Sequence, residues 1–567
     1  QTVFVPLYGS KTESAGISKS FSISVGYTSI SQLESRPGSG PTRRQAFGRG
    51  RIVPLGSVNP HTPLLIGSED VMSTVRRVLL RTYGCQMNVH DSEKITNLLQ
   101  HHGYQTTAEL EDADLLIINT CSIREKAENQ LYSDIGRLRA WKQQRPGRLL
   151  AVGGCVAQQE GDTVLKRFGH VDFVFGTHNL RLVPSMVAAA LQGERETRID
   201  ENGSLDRFDL PERHPEFKTR TPGRAFVTVM EGCDMFCSFC IVPTTRGREI
   251  SRQASAILSE VEALAARGVR EVTLLGQTVN AYGRHDLRRA ESRKARGAAH
   301  DEAETVAFAE LLGRIGAIPG IERIRYTSPH PIFFDQALIR AHGELESLCP
   351  HVHLPLQSGS DAVLERMRRR YGRGEFLAIV EALRASRSDI AISTDLIVGF
   401  PGETDADFRD TLGVMREAAF VDSYAFKYSP RPGTAAADFA DVVPGDVAQA
   451  RLEQLQSLQR TLTLEAHRAR VGESTQVLVE GASRRGGRQL TGRDPYHRVV
   501  NFEVADATLA PPGSLQPVKL LEATPHSLIG LLALDVSDDE PGPDVRRSVK
   551  TSGGRADELI RIGGVPS

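Results

Sequence analysis

The stretch GCDMFCSFCIVPTTRG, residues 232–247, decides how the rest of the chain is read. It sets Cys233, Cys237 and Cys240 in a C-x3-C-x2-C array. Three thiolates this close in sequence can grip one face of an iron–sulfur cube. A [4Fe–4S] cluster ordinarily takes four Cys ligands, so three leave one iron open to bind a small molecule and pass it an electron. A structural zinc site is the competing reading. It needs four N or S ligands, and the stretch holds neither a His nor a fourth Cys.

Working outward, residues 225–230 (AFVTVM) read as a strand, so the triad follows a strand's C-terminal end. Further strands are expected at 269–277, 322–328, 351–359, 390–400 and 421–429. Helices are expected at 254–267, 305–315, 335–343, 361–367, 374–385 and 406–418. Six βα units suit a partial barrel, whose ligands gather at the C-terminal mouth of the strands. Upstream, apolar strands at 75–85, 115–121, 149–155 and 172–176 alternate with helices at 88–102, 122–143, near 160–168 and up to about 191. That pattern implies a parallel sheet covered on both faces. Cys85, Cys121 and Cys155 each stand at the C-terminal tip of one of these strands. Such tips share one edge in an open parallel sheet, where ligands bind. Three unrelated core thiols are the alternative, because free Cys is often buried. Burial alone gives no reason for one structural address to recur three times. Helix N-termini beside the cysteines would favour thiolates.

A chain of 567 residues carries a prior of about three to four domains. Its formal net charge of −1 means that an anionic partner must be met by local basic patches. No apolar run approaches the roughly 18–20 residues of a membrane span, and no secretory signal is visible. Seven cysteines in this length are not a secreted disulfide framework. The chain therefore reads as cytoplasmic, with no membrane partner. Residues 1–71 are rich in Ser, Gly, Pro and Arg and read as a disordered extension. Met72 stands just before the first strand; a start there, a functional tail and a targeting segment are the open readings. The expected division is then a domain at 72–192, a linker at 193–222, the barrel at 223–443, a linking helix at 444–470, a small β-rich domain at 471–535 and a disordered tail at 536–567. The fold class is multidomain α/β: an N-terminal open parallel sheet, a central partial (βα)6 barrel and a C-terminal small antiparallel β-barrel.

EGCDMFCSFCIVPTTRG, TYGCQMN, NTCSIRE and GGCVAQ together resemble the radical S-adenosylmethionine (SAM) methylthiotransferase family, over roughly residues 75–534. The resemblance implies two [4Fe–4S] clusters: one on Cys233, Cys237 and Cys240 that binds SAM, and an auxiliary one on Cys85, Cys121 and Cys155. It implies SAM contacts at Gly276 and Gln277 after the second barrel strand, at Gln357 and Ser358 after the fourth, and at Asp395 and the turn from Ile397. Arg369 in ERMRRRY corresponds to a helix arginine near the SAM carboxylate, with Arg368 and Arg370 leaving the register open by one. Phe239, between two of the cysteines, would pack on the adenine, with ordinary core packing as the other reading. The segments at 474–481, 489–494, 498–504 and 514–534 resemble the family's RNA-binding TRAM module. There Arg484, Arg485, Arg488, Arg493 and Arg498, with Tyr496 and His497, would meet phosphate and base; a solvated loop is the plainer reading.

NTCSIREKAENQ, GGCVAQQEG and FVFGTHNL are similar to the bacterial branch that acts on tRNA already carrying N6-isopentenyladenosine next to the anticodon. The implied reaction takes hydrogen from C2 of that adenine, inserts sulfur from the auxiliary cluster and adds a methyl group from a second SAM. An external electron donor of flavodoxin or ferredoxin type is implied, the sulfur donor stays open, and a monomer is expected. Other readings are a methylthiotransferase on tRNA threonylcarbamoyladenosine, one on a ribosomal-protein aspartate, and an iron–sulfur RNA-binding regulator without turnover. Two stretches depart from the family. The Arg-rich segment 280–304 reads as a disordered loop, with RNA contact as a second reading. TSPHPIFF, residues 327–334, carries an extra Pro that would reshape the loop after the third barrel strand. Cys349 reads as a core thiol, His351 and His353 as core or lumen residues, and His214 as solvated.

Overall fold

The computed structural model describes residues 76–122, 125–288, 306–484 and 486–533, without the side chains of 125–127. The expected extension 1–71, the tail 536–567 and most of the Arg-rich segment lie outside the described residues.

Six parallel strands form the first sheet: β1 (Arg77–Tyr83), β2 (Gln105–Thr106), β3 (Leu115–Thr120), β4 (Leu149–Gly154), β5 (Phe173–Phe175) and β6 (Glu196–Arg198), in the order β2-β1-β3-β4-β5-β6. Every residue of β3 and β4 is buried, because helices lie on both faces. Leu116, Ile118 and Val152 pack under Leu131, Ile135 and Trp141 of helix Glu125–Gln144. Leu115, Ile117 and Phe173 pack against Ile95 and Leu99 of helix Gln86–His101 and Met186 of helix Val183–Leu191. Each such side chain contributes roughly 1.5–3 kcal/mol on burial. In register, Tyr83 lies opposite Thr120 and Thr120 opposite Gly154, so three neighbouring strands end in one row. The strands stop one or two residues short of the expected ends: Cys121 directly follows β3, Cys85 caps the next helix and Cys155 opens helix Cys155–Glu160. A residue still in the ladder would point to a face of the sheet instead of off its edge. The segment read as a linker contributes β6 and then crosses helix Gln86–His101, where Asn97 Oδ1 accepts from His214 N at 2.7 Å.

The central region has β7 (Arg224–Thr228), the hairpin pair β8 (Met230–Glu231) and β9 (Ile250–Ser251), then β10 (Glu271–Leu275), β11 (Arg323–Tyr326), β12 (His351–His353), β13 (Ala391–Val398) and β14 (Asp422–Lys427). Two parallel sheets, β11-β10-β7 and β12-β13-β14, are joined where Ile324 bridges Leu348 in parallel. The six strands thus run in sequence as the partial barrel expected. Residues 280–283, assigned to the polar loop, are core instead: Asn280 and Tyr282 are buried, and Tyr282 donates to Arg252 O at 2.8 Å. One aromatic in a polar stretch gives no period to read.

Helix Gly445–Arg468 lays Leu455 into the core behind β13 and β14. The chain then closes a barrel of β15 (Ser474–Ala482), β16 (Gln489–Arg493), β17 (Val499–Glu503), β18 (Leu515–Ala523) and β19 (Leu528–Leu532). All its pairs are antiparallel except β17 with β19. It covers the N-terminal ends of the central strands, opposite the mouth. Arg323 Nη2 donates to Gln476 O at 2.6 Å and Arg325 Nη2 to Asp494 O at 2.8 Å. This joint corrects part of the RNA-contact reading. His497 stacks on His351 at 5.6 Å, Arg498 pairs with Asp422 at 3.2 Å, Tyr496 donates to Asp389 at 2.7 Å and Arg493 pairs with Glu480 at 3.2 Å. Arg484 and Arg488 stay exposed, and Arg485 lies outside the described residues. Among the described residues no helix is long and apolar enough to cross a membrane.

Candidate active site with two cysteine triads

Cys85, Cys121 and Cys155 leave the ends of β1, β3 and β4, three adjacent strands. Neighbouring strands lie about 4.8 Å apart, so the row delivers all three thiols to one place. They hydrogen-bond in a chain, Cys85 to Cys121 to Cys155. The bond from Cys121 holds Cys85 and Cys155 below the usual thiol range, with the charge of Arg246 assisting against burial. The same bonds push Cys121 up. Cys85 caps helix Gln86–His101 and lies 3.1 Å from Asn88 Oδ1. Asn88 and Asn119 lock that helix start to β3: Asn88 Nδ2 donates to Asn119 Oδ1 at 3.1 Å, and Asn119 Nδ2 to Asn88 O at 2.9 Å. Asn119, inside an apolar strand, is a site residue that sequence reading passed over.

Cys233, Cys237 and Cys240 lie in the loop closed by the β8–β9 hairpin. Cys233 N donates to Gly247 O at 3.1 Å, and Cys240 N to Cys237 O at 3.0 Å, curling the loop so that the thiols cluster. Burial pushes Cys240 up to about 12 and Cys233 in the same direction. Cys233 Sγ lies 3.1 Å from Thr278 Oγ1, and Gln277 Oε1 accepts from Gly232 N at 2.5 Å. Gly276 sits against Met230, where a Cβ would fall 2.6 Å from its Cγ. These contacts place Gly276 and Gln277 against the cysteine loop.

Arg369 is set apart from the two arginines beside it. It is buried, with Arg368 and Arg370 exposed on either side in the left-handed region, at φ +58° and +59°. Arg369 Nη1 donates to Cys237 Sγ at 3.3 Å, and Nε lies 3.0 Å from the Tyr371 hydroxyl. It stands beyond helix Asp361–Arg366, not on it as expected. Gln357 takes φ +74° and bonds both ways to β13, from its N to Asp395 O and from Ile397 N to its O. Asp395 pairs with His353 Nε2 at 3.2 Å. Phe239 and Ile397 share an apolar cluster with Met367 and Phe400. Ser358 is turned away from these groups: its hydroxyl lies 3.4 Å from Thr411 Oγ1 on the outer helix Asp405–Glu417. His330, missed in the sequence, sits beside Tyr371 at 5.6 Å and is bonded through its backbone to Asn280. A short 3-10 turn, Pro331–Phe333, follows it. Cys349 is buried near the floor, where its N donates to Ile324 O, so it can complete neither triad.

The triads are joined by one element. Helix Val242–Arg246 is capped by Ile241, the residue after Cys240, and Arg246 Nη2 reaches Asp91 Oδ2 at 2.6 Å beside Cys155. Thr177 Oγ1 donates to Thr245 O at 2.6 Å across the same seam. Glu231, next to the cysteine loop, pairs with Lys94 at 3.3 Å and Arg207 at 3.5 Å. Among the described residues no three or more His, Cys, Asp or Glu side chains are arranged to hold a single metal ion. A cube asks for something else, three thiolates on three separate irons. Both triads fit that demand: each supplies three sulfurs, one lies beside the buried Arg246, and the other receives a hydrogen bond from Arg369.

Residues 77–176 match the uncharacterized protein family UPF0004, and residues 227–415 match the radical SAM superfamily. The chain is 49% identical over 463 residues to a tRNA-2-methylthio-N(6)-dimethylallyladenosine synthase of Geobacter metallireducens, covering 82% of this chain and 100% of that protein. It is 44% identical over 457 residues to the synthase of the same name in Streptomyces griseus, covering 79% and 86%.

Proposed function

The chain belongs to the tRNA-2-methylthio-N(6)-dimethylallyladenosine synthase family, and from that membership we propose that it methylthiolates C2 of N6-isopentenyladenosine in tRNA, next to the anticodon. The observation that carries this reading is the gathering of six of the seven cysteines into two triads joined by helix Val242–Arg246. [4Fe–4S] clusters on the two triads, with SAM, would supply the radical chemistry that an unactivated C–H demands. Cys85, Cys121 and Cys155 are proposed to hold the auxiliary cluster, and Cys233, Cys237 and Cys240 the one that binds SAM.

The chain's own groups divide the work. Arg369 steadies Cys237 and offers a fork suited to a carboxylate. Gly276, Gln277, Gln357 and Asp395 are the polar groups proposed around the rest of SAM, and Phe239 and Ile397 the apolar wall for its adenine. Ser358 keeps a supporting place, since its hydroxyl bonds away from them. Of the arginines read for RNA contact, Arg484 and Arg488 are the ones exposed among the described residues. The substrate is a tRNA already carrying isopentenyladenosine, and the electron comes from a donor of flavodoxin or ferredoxin type. The protein works in the cytoplasm as a monomer.

Mass spectrometry of tRNA nucleosides from a strain lacking the gene tests the proposal. Loss of 2-methylthio-N6-isopentenyladenosine with accumulation of its precursor is expected. Unchanged nucleosides would overturn it.

A further inference from the structure

We propose that Arg246 is a positioning residue for the auxiliary cluster, a buried counter-cation that sets how readily that cluster takes up an electron. This rests on the two-cluster reading above. Arg246 is 3% exposed and makes one ion pair, Nη2 to Asp91 Oδ2 at 2.6 Å. Its Nη1 has no hydrogen-bond partner, and neither has Asp91 Oδ1, although both atoms are buried. A half-used fork out of water is costly unless something anionic answers it. Its remaining charged neighbours are Cys155, Glu231 and Cys85. Glu231 is shared with Lys94 and Arg207, so the neighbours that face Arg246 without a cation of their own are the two cysteines, of which Cys155 also hydrogen-bonds to it. Neutral thiols offer a guanidinium little. Three thiolates on a [4Fe–4S] core carry a net charge of about −1, and about −2 once the core takes up one electron. A fixed cation favours the second state more strongly, so it makes reduction easier. Asp91, the anion paired with the guanidinium and itself felt by Cys155, must work in the opposite sense. Lysine would keep the charge but lose the fork that reaches Asp91 and the cysteines together.

The test uses the full chain with Cys233, Cys237 and Cys240 replaced by alanine, reconstituted anaerobically, so that the auxiliary cluster alone is read. Iron content and redox-poised electron paramagnetic resonance are the readouts. If this reference binds no cluster, the two-cluster reading itself fails, and the inference falls with it. If it binds about four irons, Arg246→Met should keep the cluster and move its midpoint to a more negative potential. Arg246→Lys should lie between, and Asp91→Asn should move the midpoint to a more positive one. Opposite signs are what a purely structural role cannot produce, since loosening the seam from either partner would act in one direction. Equal midpoints in the reference and Arg246→Met, or shifts of one sign for Arg246→Met and Asp91→Asn, would overturn the inference. Should Arg246→Met not fold, Arg246→Lys and Asp91→Asn decide it by the same opposition of sign.

Discussion

Gly84 shows how little freedom the auxiliary triad leaves its neighbours. It takes φ +129°, and a Cβ there would lie 2.1 Å from Cys121 Cβ. Gly84→Ala must therefore either displace Cys121 or swing Cys85 away. The expected result on reconstitution is about four irons per chain where the parent holds about eight, with the spectrum of the other cluster unchanged. A second residue, far from the site, sets a pH dependence. His342 is fully buried against the Tyr326 hydroxyl at 2.6 Å, and burial, helped by Arg387, lowers it to about 3 from an ordinary value of 6.5. The unfolded chain binds that proton more readily than the folded one. Its contribution is complete above pH 6.5 and is lost as pH falls through the window down to about 3, by several kcal/mol at full extent. Urea melts across that window should show a shallower pH dependence for His342→Gln than for the parent. The six cysteines were legible as residues because spacing and strand position are written in the chain. The choice of Arg369 over Arg368 and Arg370 was not. It depends on two left-handed residues that alternate the side chains, and neither arginine's identity announces a positive φ.

At the scale of elements, the strongly periodic pieces were readable and the weak ones were not. The apolar runs of β3 and β4 and the helix at 445–468 announce themselves. The polar edge strands β2 and β6, two and three residues long, have no pattern to find. The small barrel is the instructive case. Its strands could be read, but the use of its arginines could not, because what occupies Arg498 is Asp422, 76 residues earlier in the chain, and what occupies Arg493 is Glu480 on a neighbouring strand. Charge alone does not say whether a cation meets RNA or a neighbouring module. The two roles separate by experiment. Replacing Arg484 and Arg488 with alanine should weaken tRNA binding and lower the slope of log affinity against log salt by roughly 1 to 2, with an unchanged melting temperature. Arg498→Ala strips the buried partner from Asp422 and should lower the melting temperature, while the salt slope stays as in the parent. Isothermal binding titrations at several salt concentrations, with thermal melts of each variant, distinguish the two outcomes.

The whole molecule must hold two reactive centres in one fixed relation, and the seam between the first sheet and the barrel is built for that. Each sheet alone could carry its own triad. What ties them is a set of buried polar contacts: Thr177 to Thr245, Asp91 to Arg246, and Glu231 between Lys94 and Arg207. Burial alone would raise Glu231, yet the surrounding Lys94, Arg207 and Arg246 bring it down to about 2. It is an anion in the folded protein. Glu231→Gln keeps the shape but leaves two buried cations under-compensated, a loss on the order of 3–5 kcal/mol if nothing relaxes. Relaxation would come by opening the seam, because the cations sit on the N-terminal side and the carboxylate on the barrel side. On the proposed assignment, SAM cleavage needs the barrel, whereas methylthiolation needs the auxiliary triad held in its place as well. In a reconstituted assay with SAM, reductant and isopentenylated tRNA, Glu231→Gln should still release 5′-deoxyadenosine. Its yield of methylthiolated nucleoside per deoxyadenosine should fall by about tenfold or more, the scale on which small misplacements act. A parallel fall in both products would mean that the damage lies in the barrel, and that the seam does not govern coupling.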